Sequence, residues 1–157
     1  MWKTADNRQV SIRSLMDNAI EEWRRERDIE NLSPGDIPKD LLLHLAPSLI
    51  VFKQKYPEEF SEYGCQSALE EVFAFYESIM VDDEYWGFKG ETCATGRILE
   101  HYAMDHRTPK SLKALEYMVQ HQSPNGKFNL GKAQYLGAQV HGIKRLYKSI
   151  QVFGFNY

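Results

Sequence analysis

Hydrophobic positions recur at helical spacing through most of the chain. The longest pattern lies near the C-terminus, where Ala133, Leu136, Val140, Ile143, Tyr147 and Ile150 follow one another at intervals of 3, 4, 3, 4 and 3 residues. A helix turns once per about 3.6 residues, so these side chains share one stripe. The spacing predicts a long core helix over 129–153, opened by Asn129 as N-cap and closed by Gly154. Gly131, Gly137 and Gly142 each cost a helix interior about 1 kcal/mol relative to alanine, so packing has to hold this segment. The stripe is also compatible with a homodimer seam. Its flanks, Gln134, Tyr135, His141, Gly142, Lys148 and Ser149, lack the alternating Glu and Lys of a coiled coil and favour the core-helix reading.

Earlier segments repeat the pattern. A helix is expected near Ser11–Ile29 with Leu15, Met16, Ala19, Ile20 and Trp23 inward, after a frayed segment 1–9. Ser33-Pro34-Gly35-Asp36 has turn composition. A second helix is expected from Pro38 to near Tyr56, apolar nearly all round and therefore central, with Pro47 kinking or splitting it. One further turn over Pro57–Tyr63 precedes a helix over Ser67–Val81, whose inward residues are Leu69, Val72, Phe73, Tyr76, Ile79 and Met80. A short helix from about Thr92 or Thr95 to His106 is expected to bury Ile98, Leu99 and Tyr102. Thr108 and Pro109 then give an N-cap and first-turn proline for a helix over Pro109–Gln122, with Leu112, Leu115, Met118 and Val119 inward. The expected fold is all-α, a single compact domain of about six helices over 1–157 with the long C-terminal helix in its core.

Composition narrows the class. Hydrophobic residues make up 43% and aromatics 13% of 157 residues, which excludes a disordered chain. The N-terminus lacks the apolar segment of a signal peptide, and the longest apolar stretch, Leu41–Phe52, is too short to span a bilayer. A cytoplasmic protein with no membrane contact is expected, with Cys65 and Cys93 as free thiols rather than a disulfide.

Charge changes the picture more. Between Tyr56 and Glu91 there are ten acidic residues and one basic residue, Lys89, whereas Lys127–Tyr157 contains no Asp or Glu. The two regions either neutralise each other internally or face charged partners. The loop after the fourth helical pattern is the leading contact candidate. Asp82, Asp83 and Glu84 supply orienting charge, and Tyr85, Trp86 and Phe88 supply interface area. The competing reading has these aromatics covering the core while the acids stay in water. The expected function is a non-catalytic protein-binding module, a small accessory, immunity or inhibitor-like protein. The alternative is a nucleic-acid binder, with Lys132, His141, Lys144, Arg145 and Lys148 gripping phosphates.

Reactive motifs are sparse. No glycine-rich phosphate loop, nucleophile elbow or metal-type spacing occurs among the five histidines and two cysteines, so neither cofactor nor metal is expected. Arg97-Ile-Leu-Glu-His101 resembles the Arg–His motif of helical ribonucleases of the higher-eukaryote-and-prokaryote nucleotide-binding type, with three intervening residues where that motif is longer. The resemblance implies an RNase-like helical enzyme, with His101 as acid or base and Arg97 stabilising phosphorane charge.

Overall fold

Ser11 begins the first helix by accepting the Ser14 N–H on its hydroxyl oxygen at 3.1 Å. The computed structural model describes residues 2–3, 9–87, 92–105, 108–122 and 124, with Lys144 and Gln151 individually. Among these the fold is all-α: α1 (Ile12–Glu30), α2 (Asp40–Lys55), α3 (Pro57–Glu62), α4 (Cys65–Ser78), α5 (Thr92–Asp105) and α6 (Pro109–Gln120). Where fraying was expected, β1 (Trp2–Lys3) pairs antiparallel with β2 (Gln9–Val10), Trp2 opposite Val10. The helix expected over 129–153 lies outside the described residues, apart from Lys144 and Gln151, both helical and exposed. No described helix is long and apolar enough to cross a membrane.

The chain groups into two units, one of residues 1–31 and 40–72, the other of 32–39 and 73–157. In the first, Trp23 of α1 is buried and its indole Nε1–H donates to the Leu42 carbonyl of α2 at 3.2 Å. Leu42, Leu43, Leu45, Ala46, Leu49 and Ile50 are buried along α2, as its apolar run predicts. The helix continues through Pro47 without splitting. Proline supplies no N–H to the preceding turn, and beside it the Ser48 hydroxyl donates to the His44 carbonyl at 3.0 Å.

Two expected faces are turned in part. Leu15 and Ala19 of α1 are exposed, because the stripe enters the core only from Ile20 onward. On α6, Ser111, Ala114, Leu115 and Met118 are buried while Leu112 is exposed. Ser111 turns inward because it completes a capping box, exchanging hydrogen bonds with Thr108. In the second unit, Tyr76, Ile79, Trp86, Ile98, Leu99 and Leu115 form a core with no exposed surface to speak of. The Ser33–Asp36 turn is closed by the Asp36 N–H donating to the Ser33 carbonyl at 3.0 Å, and Gly35 takes the positive φ of 96° that follows a turn proline.

One polar network ties helices within the first unit. Glu71 of α4 accepts from Arg24 Nε at 2.9 Å and from Arg27 Nη1, and Arg27 lies over the Trp23 ring at 5.0 Å. Burial by itself raises the Glu71 pKa, but hydrogen bonds and charge from Arg24 and Arg27 outweigh it and hold it below the ordinary value. A depressed folded pKa contributes stability above the ordinary carboxylate value and loses it as pH falls through the folded one. Glu71→Gln is expected to lower unfolding free energy at pH 7 by on the order of 1 kcal/mol, this being a partly exposed site. In urea unfolding the gap to the unsubstituted chain should close once pH falls well below about 4. A gap that persists in acid rules out the charge as its source.

Candidate functional site

Helix α4 ends at Ser78, which leaves its last carbonyls without intrahelical donors. The Tyr76 carbonyl receives the Trp86 indole Nε1–H at 2.7 Å, shared with a longer bond from the Ile79 N–H at 3.3 Å. Thr95 of α5 brackets the Trp86 backbone: its hydroxyl oxygen accepts the Trp86 N–H at 3.1 Å and its O–H donates to the Trp86 carbonyl at 2.9 Å. Trp86 is 0% exposed and Thr95 is buried. The loop after α4 is thus fixed at its far end by three buried hydrogen bonds.

Between these anchors the chain reverses tightly. The Glu84 N–H donates to the Val81 carbonyl at 2.9 Å, and the Val81 N–H donates to the Tyr85 carbonyl at 2.9 Å. Asp82 and Asp83 occupy the centre with φ of 51° and 57°, the left-handed pair of a type I′ turn. Aspartate tolerates that region better than most residues because its short carboxylate bonds locally. Both acids are exposed, and Asp83 meets Lys110 of α6 at 3.4 Å in an exposed pair that contributes little to stability.

Next to the turn lies a ladder of rings. Tyr85 stacks on Tyr117 with centroids 4.8 Å apart, and Tyr117 stacks on His121 at 4.1 Å. His121 Nδ1–H donates to the Tyr117 carbonyl at 2.8 Å, which fixes the imidazole against the ring. Tyr85 and Tyr117 are half-buried and His121 is exposed. Burial, then Tyr85 and the Glu84 charge, raise the Tyr117 pKa, so its hydroxyl remains a donor at neutral pH. Acids and aromatic faces therefore share one surface, with the carboxylates on a rigid turn.

Sequence reasoning missed Tyr117 and His121. Their signal was a four-residue spacing across the C-terminal end of α6, which His121 caps. Of the residues expected in the contact surface, Asp82, Asp83, Glu84 and Tyr85 stand together at the turn. Trp86 is in the core, where it holds the loop, and Phe88 lies outside the described residues. Of the basic set, Lys144 is exposed, while Lys132, His141, Arg145 and Lys148 lie outside the described residues.

The Arg97 and His101 pair sits on α5. His101 is 4% exposed, and its Nδ1 shares a 2.8 Å hydrogen bond with the Tyr76 hydroxyl, whose pKa burial pushes well above the usual range. Their rings stack at 5.8 Å. An RNA phosphate reaches this imidazole only if the packing around α5 opens. Cys65 is a buried free thiol with its pKa raised by burial and by Asp17. No three His, Cys, Asp or Glu side chains converge as metal ligands among the described residues.

Comparison of the chain with protein-family models, with curated proteins and with solved structures gives no match.

Thr95→Val keeps the shape of the side chain and removes both bonds to Trp86. Two buried backbone groups then lack partners, and chemical unfolding should show a loss of about 1–3 kcal/mol, with Thr95→Ser recovering most of it. Equal stability of the Val and Ser variants contradicts the anchoring role.

Proposed function

We propose that this chain is a non-catalytic protein-binding module, accessory, immunity or inhibitor-like, whose contact surface is Asp82, Asp83, Glu84 and Tyr85 extended by Tyr117 and His121. The reading rests on one observation: two exposed carboxylates on a tight left-handed turn lie beside a stack of two half-buried tyrosine rings and an exposed imidazole. Tyrosine faces supply area at small entropic cost, and fixed acids orient a basic partner surface and speed its approach. Trp86 acts from beneath as the support of the loop, not as a contact. Binding of nucleic acid through the C-terminal lysines and arginine is the competing outcome.

Capture from native lysate, with and without nuclease, separates the two. A stoichiometric protein that survives nuclease and is lost with Asp82→Lys/Asp83→Lys is expected, together with a fall in affinity of about tenfold or more for that protein, equivalent to about 1.4 kcal/mol. Asp82→Gly/Asp83→Gly keeps the turn and should also weaken capture, which separates charge from folding. Unchanged capture by both variants, or nucleic acid as the retained species, overturns the reading.

A further inference from the structure

The first turn of α6 carries a charge that the helix itself disfavours. Thr108 is the N-cap, Pro109 and Lys110 follow it, and the turn contains no acidic residue. Unpaired N–H groups give this end of a helix a partial positive charge, which favours anions and opposes cations. The Lys110 ammonium reaches across to the turn after α4 and lies 3.4 Å from Asp83 Oδ1. The two side chains are 46% and 59% exposed, so the pair adds little to stability. Its effect falls instead on the contact surface proposed above, where it cancels one of the three charges of Asp82, Asp83 and Glu84.

The pair is also a loose one. A hydrogen bond from a nitrogen cation to a carboxylate runs to about 2.7–2.9 Å, well short of the 3.4 Å between Lys110 and Asp83. The capping box of Thr108 and Ser111 fixes the backbone at Lys110, while its flexible four-carbon stem is free to swing the ammonium away. A guanidinium has the advantage over it. Its planar fork bonds both carboxylate oxygens at once, and it lies flat on aromatic rings such as those beside the turn. Resting on the reading of this surface as a protein contact, we infer that Lys110 is an autoinhibitory competitor for Asp83, displaced when the partner presents an arginine. Removal of the Lys110 charge then tightens binding without altering the turn.

Titration of the isotope-labelled full chain with tetra-arginine and tetra-lysine peptides, followed by amide NMR shifts, tests this. Tetra-arginine is expected to shift Asp82, Asp83, Glu84, Tyr85 and Lys110, and to bind about threefold or more tighter than tetra-lysine. Lys110→Gln should lower the tetra-arginine Kd by about threefold. That gain should vanish in an Asp83→Asn background, in which asparagine keeps the left-handed conformation of the turn. An unchanged Kd for Lys110→Gln, a gain that persists with Asp83→Asn, equal affinity for the two peptides, or shifts confined to other residues overturns the inference. Should Asp82→Lys/Asp83→Lys lose the captured partner while Lys110→Gln binds tetra-arginine no more tightly, the contact surface stands and the competition alone is overturned.

Discussion

The hydrogen bond from the Trp86 indole to the Tyr76 carbonyl is the constraint on which the candidate surface depends. It caps the end of α4, buries the largest side chain of the loop and fixes where the chain emerges toward α5. The Thr95 hydroxyl adds a second fixed point by both accepting from and donating to the Trp86 backbone. At this buried site each of these bonds is worth more kept than its net contribution suggests, because losing it leaves a buried polar group unpaired. The acids at the turn can therefore hold left-handed conformations that a loose loop would abandon.

The same geometry assigns the two described aromatics of the loop different tasks. Sequence composition treats Tyr85 and Trp86 as equivalent, since both follow three acids in a loop. Neighbouring residues in extended backbone point to opposite sides, and here one side is core and the other is α6. Trp86 goes inward to Tyr102, with rings 5.8 Å apart, and Tyr85 goes outward onto Tyr117. For the proposed binding function, the indole is the foundation and the phenol is the contact.

Much of the helical order was legible in the sequence because it depends on local rules. The 3.6-residue spacing placed α4 and its inward residues, Thr108-Pro109 placed the start of α6, and Ser-Pro-Gly-Asp placed the turn at 33–36. What escaped was set by tertiary partners. Leu15 and Ala19 fit the inward stripe of α1 by spacing, yet among the described residues no neighbour covers them as it covers Ile20 and Trp23. Pro47 stays inside α2, where local propensity predicts a break, because that helix buries six residues along its length. The stack of Tyr85 on Tyr117 joins a loop to a helix far along the chain, and no periodicity within either segment announces it.

The expected Arg97 and His101 chemistry illustrates the same limit. A one-turn spacing puts the two on one face of α5, but burial decides what the imidazole meets, and it meets the Tyr76 hydroxyl. The proposed function is most directly tested by a photo-reactive amino acid placed at Asp82 or Tyr117 in the producing cell, with Glu58, exposed on α3, as the control position. A discrete protein adduct shared by positions 82 and 117 and absent at 58 is the predicted result. No adduct at either position, or the same adducts at all three, contradicts a partner at this surface.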